Sequence, residues 1–89
     1  SHFKNPTKIT ESIDQQNKRN IITVETINSS GLLVKIAEIF KECEASIHSA
    51  KITTLGEKVE DTFFIEDLRT NLISKNKMQR IKKALGEII

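Results

Sequence analysis

Seven consecutive residues, Ile21-Ile22-Thr23-Val24-Glu25-Thr26-Ile27, are β-branched at every position except Glu25. Branching at Cβ restricts χ1 and suits a pleated surface, so this run predicts a strand. The next residues narrow the fold further. Asn28-Ser29-Ser30-Gly31 precedes Leu33, Ile36, Ala37 and Phe40 at i, i+3, i+4, i+7 spacing, with Leu32, Ile39 and Cys43 widening the apolar stripe. That spacing predicts a helix, and the Asn and Ser residues before it predict its N-cap. A strand that feeds directly into an amphipathic helix needs more strands to complete the surface the helix covers.

Those strands are found on both sides. Residues 7–13 carry Ile9 and Ile13 on one side with Glu11 between them, the pattern of an edge strand. The polar run from Asp14 to Asn20 predicts a turn. Ala45–Leu55 predicts a strand whose alternation breaks: Ile47 is odd, whereas Ala50 and Ile52 are even. A bulge near His48-Ser49 reconciles them. Gly56-Glu57-Lys58 predicts a hairpin turn, and Val59–Glu66 the strand after it, with Val59, Asp61, Phe63 and Ile65 on one face. Ser74 predicts the N-cap of a last helix carrying Met78, Ile81, Ala84, Leu85 and Ile88 on its apolar side.

The order β-β-α-β-β-α predicts an α+β, ferredoxin-like sandwich: a four-stranded antiparallel sheet with two helices on one face. The usual strand after the second helix has no counterpart, and the N-terminal strand takes its slot. The expected sheet order is 8–13, 21–27, 59–66, 46–55. Residues 7–89 form one domain, and 1–6 are expected to be a tag remnant or flexible lead.

Composition excludes several functions. Of the 89 residues, 37% are hydrophobic and 29% charged, ordinary values for one small globular domain. Fourteen basic against twelve acidic residues give a net charge of +2, too little to argue for nucleic acid. The apolar runs are too short to span a membrane. The single cysteine, Cys43, excludes an internal disulfide and fits a reducing compartment, so the expected location is cytoplasmic. Catalysis also lacks its parts. His48 has no partner constellation, the other histidine being His2. Glu60 and Asp61 are adjacent in a strand and point to opposite faces, so they make no acid-base dyad. Phe63 and Phe64 likewise face opposite sides, against a base-stacking platform. Cys43 is expected to serve as a small apolar side chain, and Lys75, Lys77, Arg80, Lys82 and Lys83 as the solvated face of the last helix. No catalytic residue, metal or cofactor is expected.

The run from Ile47 to Ile65, Ile-His-Ser-Ala-Lys-Ile through Gly-Glu-Lys-Val-Glu-Asp-Thr-Phe-Phe-Ile, resembles the central hairpin of ACT domains. More narrowly, it is similar to the C-terminal ACT domain of the bifunctional uridylyltransferase/uridylyl-removing enzymes that act on the PII protein. Gly31-Leu32-Leu33 is similar to the start of that family's first helix. The resemblance covers about residues 20–89 and implies a sensor rather than a catalyst. It implies an amino-acid ligand, with glutamine expected, held between two ACT domains. Those two are either a homodimer or a tandem pair, and the catalytic domains of a longer parent chain are the further partners. The implied ligand residues are Asn28, Ser29, Ser30, Gly31 and Leu32 of the loop, and Ile47, His48 and Ser49 from the strand after the first helix of a partner domain. Where the family commonly reads Asp-Arg-Pro-Gly, this chain has Asn28-Ser29-Ser30-Gly31.

The loop suits such a ligand on physical grounds. Helix N-terminal N–H groups near Ser30-Gly31-Leu32 attract a carboxylate, and Gly31 permits close backbone approach. Asn28 Oδ1 and strand carbonyls are acceptors for an ammonium or amide. The same four residues also fit a plain helix cap, which keeps a structural or dimerising module without ligand as the alternative.

Overall fold

A computed structural model describes residues 7–89, so the expectation for residues 1–6 lies outside the described residues. The elements run β1 (Lys8–Asp14), β2 (Arg19–Ile27), α1 (Leu32–Glu42), β3 (Ala45–Leu55), β4 (Lys58–Asp67) and α2 (Lys75–Ile88). The four strands form one sheet in the order β1-β2-β4-β3, with every neighbouring pair antiparallel. β1 therefore fills the edge slot beside β2, as expected.

Alternation along β2 and β4 builds the core. Ile22 and Val24 from β2 and Phe63 and Ile65 from β4 are buried in one cluster with residues of both helices. Both helices therefore cover the same face of the sheet. The helical contribution comes from Leu32, Ile36, Ile39 and Phe40 of α1 and Met78, Ile81 and Leu85 of α2, with Ile73 just before α2. Phe40 and Phe63 meet edge to face, their ring centroids 5.2 Å apart. Each such ring removes a large apolar area from water, and the T-shaped contact adds to it.

The opposite face of the sheet mixes polar residues with Ile21, Ile27 and Phe64 and has no covering layer among the described residues. Thr23 and Thr62 hydroxyls lie 3.2 Å apart across β2 and β4, and Arg19 pairs with Glu66 at 3.1 Å. Half-exposed cross-strand pairs of this kind fix register more than they stabilise.

In β3 the register shifts between Ile47 and Ser49, making His48 the extra residue of a bulge. Ile47 faces Ile65, while Ala50 faces Phe63 and Ile52 faces Asp61. All three therefore point to the helix side despite their mixed parity. The β3–β4 hairpin closes through Gly56, at φ 68°, the conformation a II′ hairpin requires of its first central residue.

Three local expectations change, one being Lys77, which is buried rather than on a solvated face of α2. No side chain caps α1: the residue at its N-cap is Gly31 in the left-handed region, φ 77°. Entry through Gly31 leaves the Asn28, Ser29 and Ser30 side chains without a cap bond to the first turn. The buried stripe of α1 is also rotated from the expected one. Leu32 is buried in place of Leu33, and Ala37 is exposed. In α2 the expected cap is present, with Ser74 Oγ accepting from the Lys77 N–H at 3.2 Å.

Candidate functional site

The start of α1 stands over the part of the sheet where β3 and β4 leave their hairpin. The loop before the helix is tied to that hairpin: the Asn28 N–H donates to the Glu57 carbonyl at 3.0 Å. A groove of about 230 Å³ opens between them, lined by Asn28, Ser29, Gly31, Leu32, Leu33, Val34, Ile52, Val59 and Asp61. The first turn of α1 has neither a side-chain cap nor an acidic residue of its own; the Leu32 N–H donates to the Ser29 carbonyl at 3.4 Å, and the N–H groups that follow it have no side-chain acceptor. At the floor lies Asp61, only 2% exposed, whose Oδ1 has no hydrogen-bond partner among the described residues. Burial pushes the Asp61 carboxyl above its ordinary pKa.

Of the site residues expected from sequence, Asn28, Ser29, Gly31 and Leu32 line this groove, and Ser30 does not. Ile47, His48 and Ser49 are exposed and lie farther along the edge strand. Ile47 sits opposite Ile65, four β4 residues past Asp61, roughly 14 Å away at about 3.4 Å per residue. One chain therefore does not bring the two sets together. Sequence reasoning missed Leu33, Val34, Ile52, Val59 and Asp61 as groove residues. The signal for Asp61 was present, because it alternates with Val59, Phe63 and Ile65 on an apolar face.

The apolar rim of the groove is exposed. Leu33 is 46%, Val34 63% and Ile52 46% accessible, and Ile47 and Leu55 continue the exposed apolar character along β3. β3 is also a sheet edge of eleven residues, with backbone groups free on its outer side.

A larger groove of about 420 Å³ lies where the loop after β4 meets α2, lined in part by Asp67, Arg69, Lys77 and Arg80. Its buried cation is already used within the chain: Lys77 Nζ donates to Asp67 and to the Glu44 carbonyl. Among the described residues, no three His, Cys, Asp or Glu side chains converge as a metal site requires. No helix there is long and apolar enough to cross a membrane. Cys43 is half-buried against the core, and His48 is exposed at the bulge.

The fold, a four-stranded antiparallel sheet under two helices, is of the α+β ferredoxin-like type, and sequence comparison agrees. The family profile described as "Plant bHLH transcription factor, ACT-like domain" matches residues 12–89, so the chain belongs to the ACT-like domain family. Its curated relatives include bifunctional uridylyltransferase/uridylyl-removing enzymes. The Psychrobacter arcticus enzyme is 36% identical over 86 residues, covering 97% of this chain and 9% of that protein. The Pseudomonas putida (strain W619) enzyme is 38% identical over 85 residues, 94% of this chain and 9% of that protein. The Vibrio atlanticus enzyme is 30% identical over 86 residues, 97% of this chain and 10% of that protein. The chain thus spans about a tenth of the length of the relatives it matches. No solved structure matches.

Proposed function

We propose that this chain is a regulatory amino-acid-binding domain, with glutamine as the expected ligand, of a longer uridylyltransferase/uridylyl-removing enzyme. The observation that carries the proposal is the uncapped N-terminus of α1 opening on a groove whose rim is apolar and exposed. Backbone N–H groups at such a helix end hold a carboxylate. The homology to uridylyltransferase/uridylyl-removing enzymes supports the reading of such a parent.

The domain acts as a pair, formed with a second copy or a tandem ACT domain. Antiparallel pairing of two β3 edges about a two-fold axis at Ala50 sets residues 47–49 of one copy beside 51–53 of the other. A partner's Ile47, His48 and Ser49 then adjoin the groove at Ile52, completing a site that one chain leaves open. Ligand bound there favours one arrangement of the pair over another. Differential affinity for two arrangements is what couples such a site to distant catalytic domains.

Calorimetric titration with L-glutamine, alongside sedimentation, tests the proposal. Saturable heat at millimolar or lower ligand, from a dimer, is the expected result. An intact dimer with no heat supports the second reading, a dimerising ACT module without ligand. That alternative is favoured by Asn28-Ser29-Ser30 standing where the family commonly has Asp-Arg-Pro.

A further inference from the structure

We infer that Asp61 is the acceptor for the ammonium group of an α-amino acid whose carboxylate rests on the N–H groups at the start of α1. This rests on the proposed amino-acid site and adds the residue that distinguishes a zwitterion from a plain carboxylate.

Three observations converge. Asp61 is 2% exposed, and its Oδ1 has no hydrogen-bond partner among the described residues. A buried acceptor left in this state costs free energy, more so when it is a charged carboxylate. Native chains rarely keep such a group without a use. Next, the described residues supply no cation to it. The neighbours across the sheet are Ile52 and Val24, both apolar. The ion pairs among the described residues engage Glu11, Glu25, Glu66 and Asp67 instead. Finally, the same groove holds the helix end that lacks a side-chain acceptor. Space is available there: a Cβ added at Gly31 would meet nothing within 4 Å.

One cleft is therefore lined by a carboxylate with an oxygen unpaired among the described residues and by helix N–H groups that no side chain caps. The complementary small molecule has a cation and an anion close together, which describes an α-amino acid. The volume, about 230 Å³, falls below the roughly 300–1,000 Å³ of sites for drug-sized ligands, so the ligand is small. A bare divalent ion does not fit, since one carboxylate is far short of the oxygen ligands such ions require.

The test compares the unaltered chain with Asp61→Asn, titrating each with L-glutamine, the other common amino acids, and the N-acetyl derivative of whichever amino acid binds. N-acetylation removes the ammonium and keeps the carboxylate. The unaltered chain is expected to bind the free amino acid at least about tenfold more tightly than the N-acetyl form, the discrimination a charged hydrogen bond supplies. Asp61→Asn is expected to lose that discrimination. Its fold is checked by a thermal melt. Independently of any variant, the ¹³C signal of the Asp61 carboxyl group should move on adding the free amino acid and not on adding the N-acetyl form. Binding by Asp61→Asn with discrimination intact, or an unmoved carboxyl signal at saturation, overturns the assignment while leaving the amino-acid site standing. Failure of the unaltered chain to bind any amino acid overturns both.

Discussion

Lys77 Nζ lies 2.8 Å from Asp67 Oδ2, joining α2 to the end of β4. The same ammonium donates to the carbonyl of Glu44, just past the end of α1. One side chain, 7% exposed, thus ties three parts of the fold together.

Lys77→Met removes that tie and leaves the Glu44 carbonyl without its donor. The hydrogen bond from Lys77, then that from the Arg69 N–H, holds the Asp67 carboxyl below its ordinary pKa. A depressed folded-state pKa contributes stability above the unfolded value of about 3.9, and that stability is lost as pH falls. The variant should therefore unfold at lower urea than the unaltered chain at pH 7, with the gap narrowing by about pH 3. Urea midpoints at the two pH values measure it.

Asp61 should behave in the opposite sense. Its folded-state pKa is raised by burial, so its contribution is fully present below the unfolded pKa and is lost as pH rises through the folded one. Without ligand, Asp61→Asn should raise the urea midpoint at pH 7 and leave it unchanged near pH 3. A lower midpoint for the variant at pH 7 would contradict this.

Gly31→Ala should cost stability through backbone strain alone. Gly31 holds φ 77°, and an added Cβ meets no atom within 4 Å. A non-glycine residue in the left-handed region loses about 1–2 kcal/mol. Equilibrium unfolding should show a loss of that order with an unchanged m-value. A much larger loss would mean that the loop rearranges.

Phe40→Ala should be the most damaging of these substitutions. Phe40 is fully buried and meets Phe63 edge to face. Truncating such a ring costs about 3–5 kcal/mol, a large share of the roughly 5–15 kcal/mol that holds a domain folded. Phe40→Leu should retain cooperative unfolding, which circular dichroism melts would show for both variants.

The order of elements, the sheet order and the β3 bulge are legible in the sequence because each rests on alternation, which the pleat enforces residue by residue. The broken parity of Ile47 against Ala50 and Ile52 requires an extra residue, and the register shift at His48 supplies it. The face of α1 is less legible. Stripes through Leu32 and through Leu33 share Ile36 and Phe40, and both are apolar, so only packing against the sheet selects between them. The cap of α1 is misleading because Asn28, Ser29 and Ser30 have capping side chains, but the chain enters the helix through a left-handed Gly31. Lys77 reads as one member of a basic solvated face, since its acceptors lie ten and thirty-three residues away in sequence. Asn28, Ser29, Gly31 and Leu32 of the loop line the groove as expected, because the turn into a helix is marked locally in the sequence even where its capping side chains are not used. Asp61 falls on the apolar face in the sequence pattern, yet its lack of a partner depends on what the other described residues fail to bring near it.

The bulge at His48 gives β3 something like a shifted reading frame. Residues before it and after it address the same layer only because one residue is skipped. Deleting that residue would restore plain alternation and leave Ile47, Ala50 and Ile52 on the helix side. Drawing His48 into the ladder without losing a residue would instead swap the two sides of the downstream half. Lys51 and Thr53 would then turn toward the helices, and Ala50 and Ile52 toward the uncovered face. An adhesive edge would become a charged one with no change of composition, so in a strand of this kind the bulge itself is a control on association.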